Sequence, residues 1–386
     1  LKPEISQAGA RIAVPRDRVP LAAAWAWIDA QPAAPVRESV PLAQAAARRL
    51  ADPVASAADL PDQNRAAADG YAVRAADCDG ASAYNPLPLM VQEAGPLARG
   101  AASLVGAGWP MPGGADAVLP QEAAQPAGSW LEVLAPVAPG TGVARAGAIW
   151  RAGTMLLEAG RRLRPQDLAC LAALGMTAVP VLRRPLVRLV VAGPKAGYDV
   201  LTPLLEALLA RDGAIADRAP DLAYAAAPDA IILAGRSGDG PDDTAAAGLQ
   251  AAGGTLALHG VALRPGETAG LGAIGPVPVI LLPGEPLACL AAYDMLAGRL
   301  IRRLGGAGAG LPYRTVHAAL ARKIVSGIGL TDIVPVRWQD GRIQPIGEAG
   351  VAAAVQADGF VMVAEGSEGY PAGATVPVHL YEAADP

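Results

Sequence analysis

From residue 186 onward, short apolar runs of strand length alternate with longer stretches whose apolar residues recur every three or four positions. Leu186 to Ala192 reads as a strand closed by Gly193. Thr202, a favourable N-cap with Pro203 at the first helical position, opens a helix that runs to Arg211. Asp229 to Ala234 is the next apolar strand, ending in Gly235-Arg236-Ser237-Gly238-Asp239-Gly240. A helix then begins at Asp242 or Asp243 and stops at Gly253-Gly254. Pro276 to Leu282 is a third strand, Pro283-Gly284-Glu285 a tight turn, and Pro286 starts a long helix reaching Leu304. Strands alternating with helices of this length predict a parallel sheet with helices on both faces.

The remainder of the chain has a different rhythm. Leu21 to Ala30, with Trp25 and Ile28 at helical spacing, predicts a helix, and a Pro/Ala break at 32–35 separates it from a second expected helix, Leu42 to Leu50. Between 52 and 145 short apolar runs such as Leu87 to Val91 and Trp130 to Leu134 are punctuated by Pro, Gly and Asn, as in a small β-rich domain. Pro165 to Leu174 predicts a helix and Ala178 to Leu182 a strand. The Gly-rich stretch 305–310 reads as a hinge, followed by a small β domain ending in the strand Ala374 to Leu380. The expected architecture is therefore α/β and multidomain. It comprises a helical linker domain (1–51 with 146–182), a β-rich insertion (52–145), a parallel-sheet domain (183–306) and a terminal β domain (307–386).

Composition narrows the function. With 386 residues, 52% hydrophobic and 17% charged, the chain can bury more than one core. The net charge of −5 argues against a nucleic-acid partner, whose binding surface usually carries a basic excess. The longest apolar run, Thr268 to Gly284, is broken by Gly and Pro and falls short of the roughly 20 residues of a membrane span. No signal pattern opens the sequence, so a cytoplasmic location is expected. Three cysteines, Cys78, Cys170 and Cys289, form no CxxC, and three scattered histidines offer no metal cluster.

The chemistry is expected where strands of a parallel sheet end and helix N-termini present free N–H groups. The loops 193–201, 235–243 and 283–286 are Gly-rich, so backbone can approach a ligand closely, and an anionic group such as a phosphate suits them best. Each signal alone is weak, since Gly at a strand end also serves a turn and Asp242 or Asp243 also serves as a cap. No GxGxxG opens a helix after a strand, which speaks against a dinucleotide oxidoreductase.

Specific motifs then emerge along nearly the whole chain. Leu282-Pro283-Gly284-Glu285-Pro286 resembles the Leu-Pro-Gly-Asn-Pro of the molybdopterin molybdenumtransferases, the family of MoeA and the gephyrin E-domain. Leu263-Arg264-Pro265-Gly266-Glu267-Thr268 is similar to its Lys-Pro-Gly-Lys-Pro, Ala68-Asp69-Gly70-Tyr71-Ala72 to its Met-Asp-Gly-Tyr-Ala, and Trp109 to Val118 to the segment leading to an acidic residue, here Glu122. The resemblance implies four structural units, a homodimer, and an anionic pterin held mainly by the sheet domain. It also implies insertion of molybdate into adenylylated molybdopterin with release of AMP, assisted by a divalent cation such as Mg²⁺.

Departures from the pattern cluster in the polar site. Two carboxylates expected after Gly147 are Ala148-Ile149, and Thr-Gly-Asp-Glu after the first strand of the sheet is Ala192-Gly193-Pro194-Lys195. Losing these acids weakens a Mg²⁺ site. Lys195 and Arg236 would set fixed positive charge near a phosphate. Glu267 and Glu285 stand where the family has Lys and Asn, and would repel a phosphate unless paired or turned away; Lys195–Glu285 and Arg236–Glu267 are the candidate pairs. The resemblance places Asp69 as the carboxylate acting across the crevice and Asp242 as a second carboxylate or a cap. Gly193, Lys195, Asp199, Gly235, Arg236, Ser237, Arg264, Pro283, Gly284 and Glu285 are the expected ligand-binding positions. The leading reading is a molybdenumtransferase with an altered site; the competing ones are a molybdopterin-binding or carrier protein without transfer, and a dimeric scaffold that has lost its ligand.

Overall fold

A computed structural model describes residues 13–192, 198–347 and 350–381. The chain divides into two compact units, one of residues up to Ser39 together with those from Pro180 onward, the other Val40–Val179.

In the larger unit the expected sheet forms, but it is mixed rather than all parallel. Its six strands, in chain order, are Leu186–Val191, Ile215–Arg218, Ala230–Ala234, Thr255–His259, Gly270–Ile274 and Val277–Leu282. Across the sheet they run second, first, third, sixth, fifth, fourth. The first four in that spatial order are parallel, whereas Gly270–Ile274 and Thr255–His259 add an antiparallel edge. Neither of these two antiparallel strands was expected from the sequence, because both lack the branched apolar run that marks the central strands.

Helices cover both faces, as expected. On one, Leu201–Arg211 and the long helix from Pro286 build a core around Leu205, Leu209, Leu282 and Leu296. The helix Leu21–Ala30 joins this core through Ile28, and the Trp25 indole donates to the Met295 carbonyl at 2.8 Å. On the other face Ala245–Ala251 packs Leu249 against Val190, Ile231 and Leu233. The long helix is continuous from Pro286 to Leu304 but widens to a π turn over Tyr293–Ala297. The terminal β domain is built on Thr331–Gln339, Gly359–Val363, Thr375–Leu380 and Arg314–Ala319, and the short strand Leu263–Arg264 pairs in parallel with its first strand.

The smaller unit contains a six-stranded sheet in the order Ala117–Pro120, Gly70–Val73, Ala101–Val105, Leu87–Val91, Trp130–Val133, Ala124–Ala127. Gly70 is required by the close strand spacing, since a Cβ there would stand 2.4 Å from the Leu119 carbonyl oxygen. The helix Pro165–Ala173 is capped by buried Asp167, which accepts from the Arg164 N–H at 2.9 Å and pairs with Arg161 and Arg164. The helix expected over Leu42 to Leu50 does not form. A single 3-10 turn, Leu42–Gln44, is followed by Ala47 at φ +60°, and the backbone of Ala47 and Leu50 bonds instead to Leu163 and Arg161. Tertiary pairing there outweighs the local Ala and Arg propensity.

Candidate functional site

The first strand of the mixed sheet lies between the second and the third, so the chain leaves its carboxyl end in opposite directions at that point. The helices that follow the first and third strands pack on opposite faces, which opens a crevice over the strand ends. A cavity of about 480 Å³ occupies it. Its walls come from all three expected loops and from Gly266–Thr268.

The loop after Ala230–Ala234 turns through two successive left-handed residues, Gly235 (φ +86°) and Arg236 (φ +55°). Gly235 N–H donates to the Leu282 carbonyl at 2.9 Å, and a Cβ on Gly284 would stand in van der Waals contact, 3.4 Å, with the Gly235 Cα, so two of the loops meet here. Left-handed backbone costs a non-glycine residue about 1–2 kcal/mol. Arginine at 236 thus occupies a position that stability alone would give to Gly or Asn. Its side chain is exposed, and among the described residues it has no ion-pair partner and is the sole cation on the cavity wall.

Four carboxylates share that wall, and each accepts a backbone N–H. Asp199 Oδ1 receives Thr202 N–H at 3.0 Å and Leu201 N–H at 3.2 Å. It thereby does the capping expected of Thr202, and the helix starts at Leu201. The Thr202 hydroxyl and these N–H groups hold the Asp199 carboxyl below the ordinary carboxylate range. Glu285 caps its own helix, accepting Leu287 N–H at 3.1 Å and Ala288 N–H at 2.7 Å. Glu267 accepts Gly266 N–H at 3.1 Å and makes no ion pair with Arg236. Asp243 accepts Gly240 N–H at 2.6 Å. Repulsion of an anion is therefore blunted, because each negative charge is partly spent on local donors. No three His, Cys, Asp or Glu side chains gather among the described residues; a magnesium ion here would rest on one or two of these carboxylates together with ligand phosphates.

The remaining polar groups are hydroxyls. Ser237, buried at the cavity floor, and Thr268 bond to each other at 3.0 Å. His259, at the end of the antiparallel edge strand, holds the Ser237 carbonyl through Nε2 at 3.0 Å. The three serve one loop, yet they lie 22 and 31 residues apart from Ser237 and share no motif.

Of the expected binding positions, Asp199, Gly235, Arg236, Ser237, Pro283, Gly284 and Glu285 come together on this cavity. Gly193 and Lys195, and with them the Lys195–Glu285 pair, lie outside the described residues. Arg264 does not line it: its guanidinium forms a two-pronged ion pair with buried Asp332 of the terminal β domain, with Nε to Oδ1 at 2.6 Å. Asp242 is exposed and outside the lining, while its neighbour Asp243 contributes to it; the helix begins only at Ala245, beyond both. Asp69, in the smaller unit, is exposed just before the strand Gly70–Val73 and accepts the Ala107 N–H at 2.7 Å.

An open α/β sheet with a crevice at its reversal point places this chain in the class of doubly wound folds that bind small ligands at the strand ends. Three family models match in order along the chain: "MoeA N-terminal region (domain I and II)" over residues 19–175, "Probable molybdopterin binding domain" over 197–303, and "MoeA C-terminal region (domain IV)" over 317–381. Molybdopterin molybdenumtransferase 2 of Mycobacterium tuberculosis is 30% identical over 323 residues, covering 73% of this chain and 78% of its own. The molybdopterin molybdenumtransferase of a Nostoc species is 31% identical over 307 residues, covering 71% and 70%. A crystal structure of a MoeA molybdopterin biosynthesis protein from Pyrococcus horikoshii superposes with a TM-score of 0.78 at 28% identity, over 95% of this chain and 100% of that one. The chain belongs to the MoeA family of molybdopterin molybdenumtransferases.

Proposed function

We propose that this chain acts in molybdenum cofactor biosynthesis, binding molybdopterin in the crevice and inserting molybdenum from molybdate into the adenylylated form, with AMP as the leaving product. The observation that carries this reading is the meeting of three strand-end loops on one cavity whose single described cation, Arg236, is unpaired. In this scheme Arg236 binds a phosphate of the ligand, and the Gly235 and Gly284 backbone allows the phosphate to approach closely. Ser237 and Thr268 offer hydroxyls that donate or accept as the ligand requires. Asp69 is assigned as the carboxylate that acts on the reacting groups, and Asp243, on the cavity wall, is favoured over Asp242 as the second. The chain is expected to work as a cytoplasmic homodimer.

The test is to supply purified protein with adenylylated molybdopterin and molybdate, and to follow AMP release with molybdenum incorporation. Coupled release and incorporation support the transferase. Bound ligand without AMP release shifts the assignment to a binding or carrier protein, a reading favoured by the self-capped carboxylates. Asp69→Asn keeps the acceptor for Ala107 N–H; it should lower turnover roughly a hundredfold, the scale of a lost electrostatic group, with the melting temperature unchanged. Equal loss of turnover and stability would make Asp69 structural.

A further inference from the structure

The left-handed backbone of Arg236 persists only where its neighbours over-determine it. Upstream, backbone bonds do this: Gly235 N–H donates to the Leu282 carbonyl, and Ala245 N–H donates to the carbonyl of Arg236 itself, both at 2.9 Å. One residue downstream the hold passes to side chains. His259 Nε2 lies 3.0 Å from the Ser237 carbonyl oxygen, and the Ser237 and Thr268 hydroxyls meet at 3.0 Å. A carbonyl only accepts, so Nε2 carries the hydrogen that joins them. The ring is buried, and its place is built around it. Gly270, directly across the antiparallel pair, carries no side chain, and a Cβ there would stand 3.3 Å from the ring Cδ2. The other ring nitrogen, Nδ1, is buried with no hydrogen-bond partner among the described residues. A buried polar atom left bare costs stability, so packing alone does not account for a histidine here.

We infer that His259 is a positioning residue: by holding the Ser237 carbonyl it keeps Arg236 in its left-handed conformation, with the guanidinium at the crevice for a ligand phosphate. The identity of that ligand rests on the function proposed above. His259 does not line the cavity, so it acts on the ligand only through the loop. Without the ring N–H, the peptide after Ser237 is free to turn, and Arg236 relaxes toward the right-handed or extended backbone that an L residue prefers. That change re-aims its side chain away from the place where Gly235 and Gly284 let a phosphate approach. The crevice thus depends on the end of the antiparallel edge strand, 22 residues beyond Ser237.

A double-mutant cycle tests this, with affinities read by calorimetric titration of molybdopterin. His259→Leu removes the N–H and should weaken binding roughly tenfold, the scale of one hydrogen bond to a charged group. His259→Gln, whose amide nitrogen reaches as far as Nε2, should restore affinity to within about threefold of the unaltered protein. In the Arg236→Gln background, His259→Leu should change affinity less than about twofold, because the group it positions is gone. Equal losses in the two backgrounds overturn the inference, as does unchanged affinity in His259→Leu. If His259→Leu does not fold, His259→Asn replaces it in the cycle, since its amide stops one carbon short of the Ser237 carbonyl. Inorganic pyrophosphate, titrated into the same proteins, should give the same pattern. Pyrophosphate binding without molybdopterin binding breaks the proposed function, and the pyrophosphate cycle then decides the role of His259. If the unaltered protein binds neither, Arg236 is not a ligand group and both fall.

Discussion

Two regions of the larger unit concentrate charge, and they use it in opposite ways. Under the long helix, Arg211 donates to Asp294 at 2.8 Å, Tyr313 donates to the other Asp294 oxygen at 2.8 Å, and Arg302 pairs with Asp212 at 3.0 Å. Both acids are nearly inaccessible, and every charged side chain there has an opposite partner. At the strand ends, four carboxylates are absorbed by their own backbone and one arginine is left open. A closed set of charges fixes structure, whereas a charge left over at a crevice is available to a ligand. The difference separates groups whose loss should unfold the protein from groups whose loss should only empty it.

Asp294→Ala should have the largest effect. Burial pushes the Asp294 carboxyl up, against the pull of Arg211 and Tyr313, and removal leaves a buried guanidinium without its strongest acceptor. Breaking a buried pair this way costs about 3–5 kcal/mol, read as a lower denaturant midpoint. Ligand affinity measured well below the new midpoint should be unchanged. A stability loss under 1 kcal/mol would mean the cluster is not the clamp its geometry suggests.

Arg236→Gln should show the reverse. Losing one hydrogen bond to a charged group costs about 1.5–3 kcal/mol, or roughly ten- to a hundredfold in molybdopterin affinity. The melting temperature should hold, because the exposed side chain has no ion-pair partner among the described residues and glutamine keeps the same left-handed backbone. Arg236→Gly should raise it, since glycine takes φ +55° without strain. Unchanged molybdopterin affinity in Arg236→Gln would remove the cation from the site.

Much of this contrast was legible in the sequence, but unevenly. The three central strands, the long helix and the loops at their ends follow from apolar runs punctuated by Gly and Pro, and Gly235, Arg236, Pro283 and Gly284 were placed by the same signals. What escaped was set by distant partners. Arg264 was expected at an anionic ligand, yet its local motif gives no hint that Asp332, 68 residues away, would pair with it. His259, at the end of another strand, and Thr268, in a turn, reach the Ser237 loop from 22 and 31 residues away. The helix expected at Leu42 failed for the same kind of reason, its backbone being claimed by residues 161 and 163.

The smallest predicted effect tests whether the carboxylates on the cavity wall are structural. Asp199→Ala removes the side-chain acceptor at the start of Leu201–Arg211 and should cost about 1 kcal/mol at neutral pH, the usual worth of a helix cap. Its acid dependence has a definite sign. The native carboxyl is held below its ordinary range by the Thr202 hydroxyl and by N–H groups of Thr202 and Leu201, so the folded state binds its proton less readily than the unfolded chain. The contribution is complete above the ordinary carboxylate range and fades as pH falls through the depressed native value. Unfolding curves of the unaltered protein and of Asp199→Ala should therefore differ at pH 7 and converge in acid. If they stay parallel into acid, the carboxylate is not what caps this helix, and its charge is as free for a ligand as that of Arg236.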